Sequence, residues 1–256
     1  MITLVGIGHV FSIRKAVKYV IFQKRPDAVC LELDRLRFDA LEKGELSDPN
    51  APFIYKRLRK IYEKAAQTQG AEVGEEMMGG AEAANELGIP YYFIDVEATP
   101  MVADVFDKLT LGQKLKLFGS VLGASVLPKK TLEDGIKKIG DDPDAYMKEF
   151  EKAFPQLKKD IVDYRDKYMS SRILQISKDH MHVLAIVGEG HVSGMTKYLE
   201  PYGLEVLHLR ELKVIAEKIA KGEIQMPEAV GDGGEGWEDG RNDSVEFSFS
   251  ITPGGY

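Results

Sequence analysis

The chain has 256 residues, 44% of them apolar and 29% charged, which suits one large α/β domain or one domain with a small accessory unit. Its formal charge is −7 and no basic stripe occurs, so we expect no nucleic-acid partner. The single cysteine, Cys30, cannot form an internal disulfide, which favours a reducing, cytoplasmic location.

The first elements of the chain form a unit of βαβ size over residues 2–34. Residues 2–7 are a short apolar run with a glycine, Gly6, near its end, which is typical of a buried strand. Ser12 is the predicted cap of an amphipathic helix, and Pro26 ends that helix. Residues 28–33 predict a second buried strand.

The rest of the chain continues to alternate between helices and strands. Further helices are predicted at about 36–43, 52–67, 74–88 and 211–221, and further strands at 91–95, 183–187 and 205–209. Residues 100–180 are predicted to be an almost wholly helical insertion. This alternation predicts a mainly parallel central sheet with flanking helices.

The carboxy-terminal part differs in composition from the rest. Residues 231–243 are a Gly/Asp-rich linker, and residues 245–251 alternate apolar and polar side chains as a half-buried strand does. We therefore expect an α/β domain over 1–230 and a linker with a terminal strand over 231–256. That strand must pair with a sheet edge of this subunit or of a partner, which leaves a homo-oligomer open.

No stretch reaches the roughly 18 apolar residues that a membrane span needs. The longest candidate, residues 115–127, is interrupted by Lys116. No signal peptide is recognised at the start of the chain. Peripheral association with a membrane stays open.

One hexapeptide pattern occurs twice, each time after a predicted buried strand. It covers residues 5–10 (VGIGHV) and 187–192 (VGEGHV). Ligands bind at the carboxyl ends of parallel strands, so His9 and His191 would face one crevice if the two strands are neighbours. Neutral imidazole is the commonest metal ligand, and its pKa of about 6.5 suits proton transfer. A glycine-rich loop with incidental histidines is the alternative.

The glycines of the pattern permit sharp turns and close approach of another backbone. We therefore expect Gly8 and Gly190 to contact a substrate. The third glycine of a dinucleotide-binding loop is absent, because position 11 is Phe11.

Glu32 is the second candidate site residue, because it lies within the apolar run of the second strand. A buried carboxylate is costly unless it is paired or bound to metal. The alternative is a structural ion pair with Arg35 or Arg37. Asp34 is interpreted as a strand-end or helix-cap residue.

Arg165 is the third candidate, and it borders the predicted buried stripe of a long helix, formed by Leu157, Ile161, Tyr164 and Tyr168. A guanidinium suits a substrate carboxylate or an oxyanion. A solvated helix face is the alternative, and the sequence alone favours it.

Other acids and histidines receive weaker interpretations. Glu75 and Glu76 begin a helix, where acids complement the helix dipole, and Glu76 is kept as a candidate substrate contact. His180 and His182 lie before the fourth strand and are interpreted as structural. His208 is expected within a strand in the core.

Together these residues resemble the TraB/PrgY family of pheromone-shutdown proteins. That family is related to the Tiki metalloproteases and more remotely to erythromycin esterase-like and ChaN-like proteins. The resemblance covers about residues 1–210, with landmarks at 6–10, 26–35, 74–84, 88–95, 164–169 and 187–192.

The resemblance implies a peptide-cleaving site that uses a divalent metal, manganese or cobalt rather than zinc. His9 and His191 would bind that metal. Glu32 would be a ligand or the general base, and Arg165 would steady the substrate. The chain departs from the family at Tyr164, where Glu is frequent, and at Val96, where Arg is frequent.

Three functions follow from these observations. The first is metal-dependent peptide hydrolysis. The second is binding of a peptide or pheromone without cleavage, which the altered charges at Tyr164 and Val96 favour. The third and weakest is a self-associating scaffold that uses residues 245–251.

Overall fold

The computed structural model describes residues 1–8, 11–44, 60, 63, 71–72, 74–97, 101, 105, 108–125, 131, 134 and 142–227. Five strands among them form one parallel sheet in the order β3-β2-β4-β1-β5. The strands are β1 (Ile2–Ile7), β2 (Ala28–Leu31), β3 (Tyr91–Phe93), β4 (Val183–Gly188) and β5 (Leu204–Leu207). The predicted α/β class with a parallel central sheet is confirmed.

Helices connect the strands. They are α1 (Arg14–Lys24), α2 (Arg35–Glu42), α3 (Glu75–Leu87), α4 (Leu111–Ser125), α5 (Pro143–Ala153), α6 (Tyr164–Ile176), α7 (Glu189–Leu199) and α8 (Leu209–Ala220). A single turn at Pro155–Leu157 and a π-helix at Lys158–Asp163 lead directly into α6. Between β3 and β4, the described residues are therefore mainly helical, as the sequence predicts.

The sheet is buried on both faces. Side chains of alternate strand residues pack on one face against α1, α3 and α8, and on the other against α6 and α7. Strands covered on both faces are expected to be apolar, and β1 and β4 carry a single polar side chain between them, that of Thr3. The architecture is a three-layer α/β/α arrangement.

The strands β1 and β4 are neighbours, with Ile7 paired with Gly188 at their carboxyl ends. The helix that follows β1 lies on one face, and the helix that follows β4 lies on the opposite face. A chain that leaves adjacent strands in opposite directions opens a crevice at their carboxyl ends. The fold therefore gives the repeated hexapeptides adjacent positions.

Three local predictions are wrong. Helix α1 has Ile13 at its N-cap position with no side-chain cap, and Ser12 is exposed one residue earlier. His208 is not a core strand residue, because β5 ends at Leu207 and His208 precedes α8 with its side chain 42% exposed. Tyr164 is 54% exposed instead of buried.

Some predictions fall outside the described residues. These are most of the helix at 52–67, the linker at 231–243 and the strand at 245–251. Among the residues that the structure describes, no helix is both long enough and apolar enough to cross a membrane.

Candidate active site at the carboxyl ends of β2 and β4

Glu32 is the first residue after β2, and its side chain links two strands. Its backbone N–H donates to the Ile186 carbonyl at 3.1 Å, which continues the ladder between β2 and β4. Its carboxylate is buried, and Oε2 accepts from the Gly188 backbone N–H at 2.5 Å. The other oxygen, Oε1, accepts from the Arg165 guanidinium. Glu32 therefore joins the ends of β2 and β4 to helix α6.

His191 is the third residue of α7, which begins directly after β4. Its ring is buried, and Nδ1 lies 2.5 Å from Oδ1 of Asp166. Its other nitrogen, Nε2, lies 3.4 Å from Oε1 of Glu32. The imidazole therefore lies between two buried carboxylates.

Arg165 is held by a second carboxylate besides Glu32. Its Nε donates to Asp95 Oδ1 at 2.9 Å and its terminal NH2 donates to Asp95 Oδ2 at 2.6 Å, a bidentate contact. Burial would lower the pKa of the Arg165 guanidinium, but Glu32 and Asp95 raise it above its ordinary value. The side chain therefore stays charged and inside the molecule, so the predicted solvated-face alternative is wrong.

Arg37 extends this charged network. Its side chain donates to Asp95 at 2.5 Å and to Asp34 at 2.6 Å. Asp34 also accepts from the Arg37 backbone N–H at 2.8 Å and is the N-cap of α2, as the sequence predicts. Glu32 does have an ion-pair partner, but it is Arg165 and not Arg35 or Arg37.

Asp166 is adjacent to Arg165 in sequence but contacts a different residue. It is 3% exposed, and burial raises the pKa of its carboxyl while the hydrogen bond with His191 opposes that rise. Its Oδ2 occupies the place where a side chain at Gly194 of α7 would begin. Because glycine has no Cβ, Gly194 leaves room for the Asp166 carboxylate.

A second glycine accommodates a second carboxylate. A Cβ at Gly6 of β1 would collide with Oε2 of Glu189, the first residue of α7. The Glu189 carboxylate accepts from the Leu209 backbone N–H and contacts Nδ1 of His208, both at 2.7 Å. This joint ties β1 and α7 to the start of α8.

Gly8 and Gly190 follow the carboxyl ends of β1 and β4. Gly8 follows β1, and a Cβ there would meet Phe11 and Leu209. Gly190 is in the first turn of α7, where a Cβ would lie 3.0 Å from Met147 Cε of α5. Glu76 is fully buried in the first turn of α3. His9 lies outside the described residues.

The histidines that were interpreted as structural have structural contacts. Nε2 of His180 lies 3.0 Å from the Tyr92 hydroxyl, and Nε2 of His182 lies 2.9 Å from Thr3 Oγ1. Both residues precede β4, at the amino end of the sheet.

Asp95 and Asp166 were not predicted to be site residues, and Arg37 was considered only as an ion-pair partner of Glu32. Asp95 follows β3 much as Glu32 follows β2, and its N–H donates to the Leu33 carbonyl at 3.2 Å. The rule that identified Glu32, a carboxylate at the carboxyl end of a buried strand, would have identified Asp95.

Two donor atoms in the described site suit a divalent metal ion. The 3.4 Å between His191 Nε2 and Glu32 Oε1 is about the separation of two ligands that bind one tetrahedral ion at about 2.1 Å. Asp166 on the opposite ring nitrogen is the usual outer partner of a metal-binding histidine. In the described part of the chain, no group of three or more His, Cys, Asp or Glu side chains could hold a metal.

Comparison with known proteins supports the resemblance seen in the sequence. The TraB/PrgY/gumN family model matches residues 94–206, which include Asp95, Arg165, Asp166 and His191. An uncharacterized protein of Methanocaldococcus jannaschii is 29% identical over 212 residues, covering 78% of this chain and 53% of that protein. The chain thus spans about half the length of this curated relative. The resemblance to the TraB/PrgY family is confirmed.

Proposed function

We propose that this chain, which matches the TraB/PrgY/gumN family model over residues 94–206, is a metal-dependent peptide hydrolase. Its site would include Glu32, His191 and Arg165. The observation that best supports this proposal is the buried array Asp166–His191–Glu32. In this array, Nε2 of the imidazole lies 3.4 Å from Oε1 of Glu32. Burying two carboxylates and an arginine around one imidazole is costly, so such an array favours a functional site.

His191 and Glu32 would hold the ion, and His9, outside the described residues, is the proposed further ligand. A divalent ion in this place polarises a peptide carbonyl and makes a nearby water more acidic. Manganese or cobalt is the proposed metal, on the basis of the family resemblance.

The chain's own groups have separable tasks in this proposal. Glu32 would accept the proton that water loses in peptide hydrolysis. An ionised carboxylate has about four lone-pair positions, so it can accept several contacts at once. The Gly188 N–H and the Arg165 guanidinium fix its orientation. Asp95 holds Arg165 in a bidentate contact, and Glu32 also accepts a hydrogen bond from the same guanidinium. Arg165 would therefore act on a substrate from a fixed position.

Peptide cleavage tests the proposal directly. The purified chain is incubated with a peptide library and Mn²⁺ or Co²⁺, and products are identified by mass spectrometry. We expect metal-dependent cleavage that falls about 100-fold or more in Glu32→Gln, the loss typical of a general base. His191→Ala should also lose activity. His180→Ala, a histidine at the opposite end of the sheet, is the matched control.

Cleavage that survives Glu32→Gln and His191→Ala unchanged would overturn the proposal. Absence of any cleavage with either metal would do the same.

One observation favours a second function, peptide binding without cleavage. Arg165 is neutralised by Asp95 and Glu32, and both oxygens of Glu32 accept hydrogen bonds within the protein. An arrangement of this kind is also what a purely structural ion network would show. Calorimetry with candidate peptides decides between the two functions. Saturable binding without product favours sequestration, and turnover eliminates it.

A further inference from the structure

The contact between Asp166 and His191 joins two helices of the same layer. Asp166 is on α6 and His191 is on α7, and the carboxylate oxygen lies 2.5 Å from Nδ1 of the ring. The exposed fraction is 3% for Asp166 and 8% for His191, so water does not compete readily for this hydrogen bond. An ionised carboxylate only accepts hydrogen bonds, so an ionised Asp166 favours the ring tautomer with its proton on Nδ1.

The position of Asp166 depends on Gly194. A Cβ built at Gly194 would overlap Oδ2 of Asp166 and lie 2.7 Å from its Cγ. Gly194 lies inside α7 without a positive φ, so the backbone does not require glycine there. Glycine inside a helix is less favourable than alanine. Space for the Asp166 carboxylate is therefore the structural reason for glycine at this position.

We propose that Asp166, seated against Gly194, is a positioning residue that holds the His191 ring with its proton on Nδ1 and its lone pair on Nε2, facing Glu32. Asp166 holds the ring at Nδ1, and Nε2 then lies 3.4 Å from Oε1 of Glu32, so that a divalent cation would be shared by two acceptor atoms. The second histidine nitrogen of a metal site is commonly fixed in this way by a carboxylate. The inference deepens the proposed function and rests on it for its consequence, which is tighter binding of a divalent cation.

The ring nitrogens of His191 report the inference without any activity assay. Nitrogen-15 spectra of the histidine side chains, recorded where the imidazoles are neutral, show which nitrogen carries the proton. His191→Gln assigns the signal. In the unmodified chain we expect the Nδ1–H tautomer.

Two variants should release the ring by different routes. Asp166→Asn keeps the shape but offers a donor as well as an acceptor, so it no longer dictates the tautomer. Gly194→Ala leaves Asp166 in the sequence and displaces its carboxylate by overlap. Both should give a mixture of tautomers. Gly119→Ala in α4, where an added Cβ meets nothing within 4 Å, is the control and should keep the Nδ1–H form.

Calorimetric titration with Mn²⁺ or Co²⁺ alone is the second readout. Loss of an outer partner typically weakens metal binding 10- to 100-fold, so both variants should show about this loss and Gly119→Ala should not. If Gly194→Ala does not fold, Asp166→Asn alone decides, because it is isosteric.

Unchanged His191 ring signals in Asp166→Asn and Gly194→Ala would overturn the inference. A tautomer change in both variants, with no metal bound by any of the proteins, would support the positioning role and count against the proposed function. The two failures are therefore distinguishable.

Discussion

A side chain added at position 194 would overlap the Asp166 carboxylate, and this overlap predicts how Gly194→Ala changes the stability of the protein. In the unmodified chain, Gly194→Ala forces a buried carboxylate to move. Overpacking typically costs about 1–3 kcal/mol, and loss of a hydrogen bond to a charged group costs about 1.5–3 kcal/mol. Alanine in a helix returns about 1 kcal/mol. These terms give a range of about 1.5–5 kcal/mol, and because the end of the Asp166 side chain can shift, we expect a destabilisation near the lower limit, about 2 kcal/mol.

Gly194→Ala should no longer be destabilising when residue 166 has no carboxylate. In Asp166→Ala, the nearest remaining atom of residue 166 is its Cβ, 3.4 Å from the added methyl, which is an ordinary contact. Gly194→Ala should then be neutral or stabilising by up to about 1 kcal/mol. The coupling energy between the two substitutions is therefore about 2–3 kcal/mol, near the upper end for residues in contact.

Thermal unfolding of the four proteins of this cycle, followed by circular dichroism, measures the coupling. For a chain of this size, about 2 kcal/mol corresponds to a change in Tm of about 4–8 °C. Gly194→Ala should lower Tm by this amount in the unmodified chain and should leave it unchanged or raise it in Asp166→Ala. Additive effects, within about 0.5 kcal/mol, would refute the reasoning.

Substitutions at three further positions test other parts of the structure by the same unfolding measurement. Gly6→Ala should destabilise by about 1–3 kcal/mol, because its Cβ displaces the Glu189 carboxylate, and an unchanged Tm would contradict the joint between β1, α7 and α8. Asp34→Ala should cost about 1–2 kcal/mol through loss of the N-cap, and Asp34→Asn, which also caps helices, should cost less; equal losses would argue against capping. The hydrogen bond from Arg14 lowers the pKa of Glu82, so this pair stabilises the fold above the ordinary glutamate pKa and loses its effect as pH falls through the lowered value. Both side chains are more than one-third exposed, so Glu82→Gln should cost less than about 1 kcal/mol at pH 7 and nothing at pH 2–3, and a loss that persists at pH 2–3 would contradict this assignment.

The sheet could be predicted from sequence because its strands are short apolar runs separated by helical periodicity. Strands β1 and β4 are buried on both faces, and such strands have no polar side to confuse the pattern. The placement of β4 between β1 and β2 depends on contacts between distant segments. Only the repeated hexapeptide pointed to adjacency of β1 and β4.

Glu32 was identified because a carboxylate in an apolar strand is costly, but Asp166 gave no such signal. The predicted buried stripe ran through Ile161 and Tyr164 at α-helical spacing. The π-helix Lys158–Asp163 widens the turn and shifts the register of α6, so Asp166 and Met169 are buried and Tyr164 is exposed. A constant helical period cannot predict the inward face beyond such an insertion. For the same reason, Arg165 was predicted only to border the buried stripe, and a solvated face remained its favoured alternative.

The two hexapeptides contact each other through Gly6 and Glu189. Gly6 of the first admits the carboxylate of Glu189, which belongs to the second, and Glu189 in turn holds the Leu209 N–H at the start of α8. These contacts account for Gly6 in the first copy and for Glu189 in the second by packing alone, without reference to a reaction. This contact does not require His191 or the carboxylates of Glu32 and Asp166, so the proposed chemistry rests on these three residues. Gly6→Ala and Asp166→Asn separate the two requirements, because the first should lower stability and the second should change the His191 ring with little loss of fold.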